Sequence, residues 1–185
     1  MKEEYAKAGN VFLHAIHRID RPVSGIVLFA RTSKALSRLN NSLRDQLFQK
    51  EYLAVVEGEM SHTKGELEHY LERGEFATTV VTKETPGAKK CLLKYRVLKK
   101  KKGYSLLRIS LLTGRYHQIR AQLSAFGYPI LGDRKYGSKA PITHPPTPLF
   151  LHHSALSFPH PITHEKTLYE AATPPNWDLF CRIFS

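Results

Sequence analysis

A short polar loop near the start of the chain holds the first side chain that could do chemistry. The segment His17 to Gly25 places one carboxylate, Asp20, between Arg18 and Arg21. Flanking cations keep a carboxylate ionised, and a proline and a glycine in the segment break any regular element. An ionised, positioned carboxylate can act as a nucleophile, a general base or a stabiliser of positive charge. Taken alone, such a loop is more often an ordinary turn whose acid is satisfied by nearby charges.

A second polar segment, Thr113 to Arg120, lies where a helix is predicted to begin. The N–H groups and the dipole of a helix N-terminus favour anions. Arg120 follows Ile119, close to the apolar stripe of this helix, and a buried arginine needs a carboxylate partner. Asp20 is the candidate for that partner. A surface helix with ordinary polar residues is the alternative interpretation.

Tyr52 is the third candidate, because it begins a predicted strand directly after an amphipathic helix. A tyrosine in this position can stack on a base or donate its hydroxyl. Packing into the core is the commoner role for an aromatic residue on a strand. From this segment alone the core role is favoured.

Metal and nucleotide cofactors are not expected. Several of the ten histidines, including His152, His153, His160 and His164, fall in an irregular proline-rich region without the spacing of a zinc site. A glycine-rich phosphate loop of either familiar type is also missing from the sequence, which disfavours ATP or NAD dependence.

The basic excess of the chain is concentrated in its second half. Residues 1–92 hold 14 basic and 12 acidic side chains, whereas residues 93–185 hold 14 basic and 4 acidic ones. Between Lys89 and Lys139 a single acid, Asp133, stands among 14 bases. Such a block favours a nucleic-acid partner, because bound cations release the counterions condensed on phosphate. A solvated surface that improves solubility is the alternative.

Length and composition narrow the class of protein. A chain of 185 residues predicts one domain over 1–185, and 42% hydrophobic residues are enough to form a core. The sequence contains no apolar run of about 18 residues, so a membrane span is not predicted. The polar residues 1–10 do not resemble a signal peptide. Two cysteines, Cys91 and Cys181, form neither a disulfide framework nor a four-ligand zinc site. We therefore expect a reducing, cytoplasmic location.

The elements that must position these residues are mainly strands. One helix is predicted from Thr32 or Ser33 to about Gln49, with Leu36, Leu39, Leu43 and Leu47 on its apolar face. A second is predicted over residues 115–126, with Ile119, Leu123 and Phe126 as its stripe, and a short closing helix over 174–185. The predicted strands cover 11–13, 26–30, 52–56, 76–82, 91–98, 104–112, 149–151 and 155–158, with a lysine-rich turn at 99–103. Strands without regular strand–helix alternation predict an α+β fold, with a mainly antiparallel mixed sheet and flanking helices.

Taken together and in this order, the segments closely resemble the signatures of the RluA-type RNA pseudouridine synthases. Residues 17–25, HRIDRPVSG, resemble the HRLDxxTSG motif; residues 50–58, KEYLAVVEG, resemble the KxYxAxVxG strand; and residues 112–120, LTGRYHQIR, resemble the LxTGRxHQIR helix start. Residues 127–137 and 151–156 also fit the family pattern. Five segments in register are far more specific than any one of them.

The resemblance implies isomerisation of a uridine in ribosomal or transfer RNA to pseudouridine, without metal or organic cofactor. It implies that Asp20 is the catalytic carboxylate, that Tyr52 lies against the target uracil, and that Arg120 pairs with Asp20. Arg18 matches the residue that fills the gap left by the flipped base. The resemblance and the basic block together make further residues candidates for contacts to RNA, namely His17, Arg115, His117 and Gln118.

The sequence departs from the family pattern at Ile19, at Val23 and before the loop. Val23 replaces the usual threonine, and Ile19 replaces leucine. Only 19 residues precede Asp20, without the Lys-Pro segment and strand that usually come first, and without an S4-like domain. A catalytic domain that lacks its N-terminal strand is therefore expected. A non-catalytic RNA-binding remnant of the same fold is the alternative, and a metal hydrolase using the histidines is a distant third.

Overall fold

The computed structural model describes residues 11–139 and 149–177. Its helices are α1 (Ser33–Arg44) and α2 (Gln118–Ala125), with short 3-10 turns at Arg134–Tyr136 and Pro175–Trp177. Its strands are β1 (His14–Ala15), β2 (Ser24–Gly25), β3 (Phe29–Ala30), β4 (Gln49–Glu57), β5 (Lys64–Arg73), β6 (Thr78–Val81), β7 (Lys89–Lys101), β8 (Tyr104–Leu111), β9 (Leu151–Pro159) and β10 (Lys166–Glu170).

The described strands form one large sheet and one small ladder. The large sheet runs in the order β10-β9-β4-β8-β7-β5-β6, and all these neighbours are antiparallel. The short β2 joins it in parallel alongside β9, which makes the sheet mixed. The strands β1 and β3 pair separately. This arrangement confirms the predicted α+β class with a mainly antiparallel sheet.

Helix α1 begins as the sequence predicts and ends earlier. The Thr32 hydroxyl accepts the N–H of Ala35 at 3.1 Å and caps the first turn. The helix stops at Arg44 because the backbone of Gln46 is left-handed, with φ 58°. Leu47, which the periodicity assigns to the apolar face, therefore lies outside the helix and is 52% exposed.

Both helices pack on the same face of the sheet. Leu39 of α1 packs in one cluster with Leu156 and Phe158 of β9. Ile119 and Leu123 of α2 belong to the main cluster, which covers the central strands. Residues directly opposite each other on neighbouring strands point to the same face of the sheet. Lys50 of β4 pairs with Leu156 of β9, so the cleft-facing side of β4 lies on the face that α1 covers. A cleft is left between the helices.

Several strands differ from the prediction. β5 and β10 were not predicted. In β5 a few core leucines, Leu67 and Leu71, stand among charged residues that mask the strand pattern. The segments at 149–151 and 155–158 prove to be mainly one strand, β9, whereas residues 11–13 form none. The lysines at 99–101 extend β7, so that the turn shrinks to positions 102–103.

Part of the sequence-based prediction lies outside the described residues. The proline-rich positions 141–148, Cys181 and most of the predicted closing helix belong to that part. Cys91 is described and is a buried, free thiol. No helix within the described ranges is long and apolar enough to cross a membrane.

Candidate active site

A cavity of about 500 Å³ opens on the cleft between the two helices. Such a volume falls within the range of small-molecule sites, about 300–1,000 Å³. Its walls come from the 17–25 loop, from α1 and α2, and from the strands β4 to β9. Every site residue predicted from the sequence lines it except Arg120, which contacts Asp20 at its wall: the lining ones are His17, Arg18, Asp20, Tyr52, Arg115, His117 and Gln118.

The loop that carries Asp20 is fixed at its end by β9. Gly25 pairs with His153 in the parallel ladder, and a Cβ on Gly25 would lie 2.2 Å from the carbonyl oxygen of His153. The Ser24 hydroxyl lies 2.8 Å from His152 Nδ1, while His152 Nε2 lies 3.1 Å from the carbonyl oxygen of Ala171. In a neutral ring, Nε2 donates to that carbonyl and Nδ1 accepts from the Ser24 hydroxyl. The paired histidines are therefore anchors for the loop.

The Asp20 carboxylate lies beside Arg120 and His117 at the wall of the cavity. Arg120 donates from Nη1 to Asp20 Oδ2 at 3.2 Å, and His117 Nε2 lies 3.6 Å from the same oxygen. The Asp20 side chain is 21% exposed. The contact between Asp20 and Arg120 that the sequence predicted is thus present, and the carboxylate remains reachable from the cavity.

The stronger partner of Arg120 is Asp133, a residue to which the sequence analysis gave no role. Arg120 donates from Nε to Asp133 Oδ2 at 2.7 Å and from Nη2 to Oδ1 at 2.8 Å, and both side chains are buried. Burial alone would lower the pKa of Arg120, but the hydrogen bonds and charges of Asp133 and Asp20 outweigh it and raise that pKa. Asp133 was visible in the sequence as the single acid among 14 bases, and that isolation was the available signal.

His117 Nδ1 stands at the end of a chain of hydrogen-bonding groups. Thr78 donates its backbone N–H to the Tyr136 hydroxyl at 2.8 Å, and that hydroxyl lies 2.9 Å from His117 Nδ1. If the hydroxyl hydrogen points to Nδ1, the proton of the neutral ring is on Nε2, facing Asp20. Burial lowers the pKa of His117, and the Asp20 carboxylate counteracts part of this effect. Neither Thr78 nor Tyr136 was predicted from the sequence to belong to the site.

Tyr52 is buried and stacks on a histidine. Its ring lies 4.5 Å from that of His153, nearly parallel at 13°. Burial, and then the charge of Asp20, raise the pKa of the Tyr52 phenol. The hydroxyl therefore stays protonated at neutral pH and can donate a hydrogen bond but cannot serve as an anionic base.

Two residues predicted to contact RNA, His17 and Gln118, are uncharged and form hydrogen bonds within the protein. His17 Nε2 accepts the N–H of Leu28 at 3.3 Å, and burial, with smaller effects from His153 and Lys50, lowers the pKa of His17 to about 4. At neutral pH this ring carries no charge to offer a phosphate.

Gln118 is 2% exposed, and its amide shapes the turn before α2. Its Oε1 accepts from the Thr113 hydroxyl at 2.8 Å and from Arg115 N–H at 3.0 Å. Its Nε2 donates to Leu92 O at 3.2 Å and to Gln122 Oε1 at 2.9 Å. Both ends of the amide are thus satisfied inside the protein, and the contact of Gln118 to RNA stays a prediction.

Exposed cations surround the mouth of the cavity. The guanidinium of Arg18 lies 5.8 Å from the centre of the Tyr116 ring, and that of Arg73 lies 4.8 Å from it. Arg115 is exposed and its Nε donates weakly to the carbonyl of Lys90 at 3.5 Å. Arg18 and Arg115 are therefore placed where a polyanion would meet the cavity.

Comparisons with known proteins converge on one family. Residues 1–125 match the model of the family described as RNA pseudouridylate synthase. Ribosomal large subunit pseudouridine synthase C of Escherichia coli K12 is 37% identical over 171 residues, which cover 86% of this chain and 52% of that protein. The uncharacterised RNA pseudouridine synthase YlyB of Bacillus subtilis is 33% identical over 159 residues, with the same coverage. The chain thus spans about half the length of these relatives.

Solved structures share the fold. The human RNA pseudouridylate synthase domain containing 4 superposes with a TM-score of 0.79 at 20% identity, covering 93% of this chain and 76% of that one. The human domain containing 1 gives a TM-score of 0.76 at 23% identity, covering 88% and 70% respectively. At these identities the likeness concerns the fold alone.

Proposed function

This chain belongs to the RNA pseudouridylate synthase family, and from that premise we propose that it isomerises uridine to pseudouridine within RNA. The observation that supports this function best is the Asp20 carboxylate, reachable from the cavity and held by Arg120 at 3.2 Å. The reaction breaks the N1–C1′ bond, turns the uracil and joins C5 to C1′. The proton lost from C5 is balanced by the proton gained at N1, so that neither redox chemistry nor a cofactor is required.

Asp20 is the proposed catalytic group, because it is the carboxylate aimed into the cavity. Arg120 and His117 act as positioning residues that orient it, and Asp133 holds Arg120 from behind. The protonated Tyr52 gives the target uracil an aromatic neighbour and a hydrogen-bond donor. Preorganised charges of this kind stabilise developing charge without rearrangement during the reaction.

The target uridine must leave its helix or loop to reach Asp20, at a cost of a few kcal/mol of stacking. Arg18 is exposed at the cavity mouth and is proposed to occupy the space that the extruded base leaves. The basic block supplies affinity for the RNA backbone without regard to sequence. The name of the E. coli relative favours large-subunit ribosomal RNA as the first substrate to test, and such a substrate implies a cytoplasmic site of action.

The test is tritium release from transcripts of large-subunit ribosomal RNA and of transfer RNA that carry uridine tritiated at C5. The wild-type chain is expected to release tritium from one of them, and the Asp20→Asn variant is expected to release none. Asp45→Asn, at the exposed end of α1, is the matched control and should keep full activity. Release by Asp20→Asn at the wild-type rate would refute the role of Asp20. RNA binding without any release would favour the non-catalytic remnant.

A further inference from the structure

Lys50 is a cation in the cavity lining for which the described part of the chain provides no counterion. It lies on β4 two residues before Tyr52, on the cleft-facing side, and its half-buried side chain lines the cavity. Within the described ranges its ammonium group forms neither an ion pair nor a hydrogen bond. Lys90 and Lys94, by contrast, are exposed and pair with Glu68 and Glu66 at 2.9 Å and 3.3 Å.

Within the described ranges no acidic side chain forms an ion pair with Lys50. Its electrostatic influence falls on His17 and His153, two neutral rings whose pKa values it helps to lower. Burial lowers the pKa of Lys50 itself, and no acid counteracts that effect. Asp20 is already engaged by Arg120. A partly desolvated cation without a partner costs free energy in the unliganded protein. A bound anion would offset that cost.

Lys50 and Gly114 lie side by side in the lining of the cavity. A Cβ placed on Gly114 would lie 3.6 Å from Lys50 Nζ, within van der Waals contact of the amine. Arg18 and Arg73, two other cations of the lining, are exposed and lie over the Tyr116 ring at the mouth. The lining cations Lys89 and Arg115 are exposed as well. Among the cations that line the cavity, Lys50 is the half-buried one, and within the described ranges its ammonium group has no partner.

We propose that Lys50 Nζ forms an anion subsite that binds a phosphate of the extruded nucleotide. The inference rests on the proposed function, because it takes the ligand to be a nucleotide of RNA. A phosphodiester brings one negative charge on each side of the target nucleotide, whereas uracil is neutral and cannot balance the ammonium. A phosphate reaches this depth only after the nucleotide has left its stack. The contact therefore favours the flipped state over the stacked one and offsets part of the stacking cost.

The decisive variant is Lys50→Met, which removes the charge and keeps an unbranched apolar side chain. Affinity for a transcript of large-subunit ribosomal RNA is measured against salt concentration, in the Asp20→Asn background so that no turnover intervenes. Loss of one phosphate contact is expected to weaken binding about tenfold. It should also reduce the slope of log affinity against log salt by about 0.7 to 0.9. Lys94→Met, on the outer face of the sheet, is the matched control and should change the slope far less.

A structural role for Lys50 predicts different results. Removal of an unpaired, partly buried charge should leave the melting temperature of Lys50→Met unchanged or higher, whereas a structural lysine would lower it. Lys50→Arg keeps the charge and should restore the salt slope. A wild-type slope in Lys50→Met would overturn the proposal.

The outcomes separate this inference from the proposed function. Tritium release by the wild-type chain together with an unchanged slope in Lys50→Met would overturn the anion subsite alone. A reduced slope in Lys50→Met without tritium release by the wild-type chain would support the subsite and contradict the synthase activity.

Discussion

Two carboxylates share one guanidinium, and they should contribute to stability very unequally. Asp133 accepts two short hydrogen bonds from Arg120 and is 2% exposed, whereas Asp20 accepts one at 3.2 Å and is 21% exposed. The isosteric changes Asp133→Asn and Asp20→Asn each remove one charge. They test whether Asp133 provides the structural support of the site and Asp20 its chemistry.

The expected magnitudes follow from the contacts that each variant breaks. In Asp133→Asn an amide NH₂ replaces an acceptor oxygen and meets a donor of Arg120, so that a buried charge pair is broken at a cost of about 3–5 kcal/mol. In Asp20→Asn the guanidinium keeps its bidentate partner, and the cost should be below about 1 kcal/mol, as for a partly exposed pair.

The assay is equilibrium unfolding in urea for both variants, read as a shift of the midpoint at unchanged slope, together with tritium release. Asp133→Asn should lose stability and also activity, because Arg120 is no longer aimed at Asp20. Asp20→Asn should lose activity alone. Equal destabilisation by the two variants, or a loss below about 1 kcal/mol for Asp133→Asn, would refute the reasoning.

Three further outcomes are expected. Tyr136→Phe leaves Thr78 N–H and His117 Nδ1 without their hydroxyl partner; it should cost about 1–3 kcal/mol and release the His117 tautomer, which nitrogen NMR shifts of the ring report. Unchanged shifts would contradict the assigned chain of hydrogen bonds. Stability should fall as pH drops from about 6.5 towards 4, because burial lowers the pKa of both His153 and His17 to about 4 and the unfolded chain takes up these protons first. Each ring contributes a loss of about 1.4 kcal/mol per pH unit in that window. His153→Gln should remove the contribution of His153 from the unfolding profile, and identical pH profiles would count against it. Gly25→Ala should cost about 3 kcal/mol or more, since its Cβ would meet the His153 carbonyl at 2.2 Å with φ at +114°; a melting temperature equal to that of the wild type would show that the close approach is not rigid.

Local patterns in the sequence were sufficient for the elements whose signals are local. The leucine spacing and the Thr32 cap predicted α1, and the apolar runs predicted the cores of β4, β7 and β8. The strand β5 was not predicted from the sequence, because few of its residues are buried apolar ones and its charged residues face solvent. A pattern of this kind becomes a strand only when β6 and β7 supply its hydrogen bonds.

For the site, the sequence by itself determined the family, through five ordered segments, and with it the pairing of Asp20 with Arg120. Only the tertiary structure decided that Asp133 is the principal partner of Arg120, that the Tyr136 hydroxyl lies within hydrogen-bond distance of His117 Nδ1, and that Lys50 has no counterion among the described residues. These facts depend on contacts between segments far apart in the chain, such as the 100 positions that separate Asp20 from Arg120. Residue types state which charges are available, but burial and distance decide which charges meet, because the strength of an ion pair depends on both.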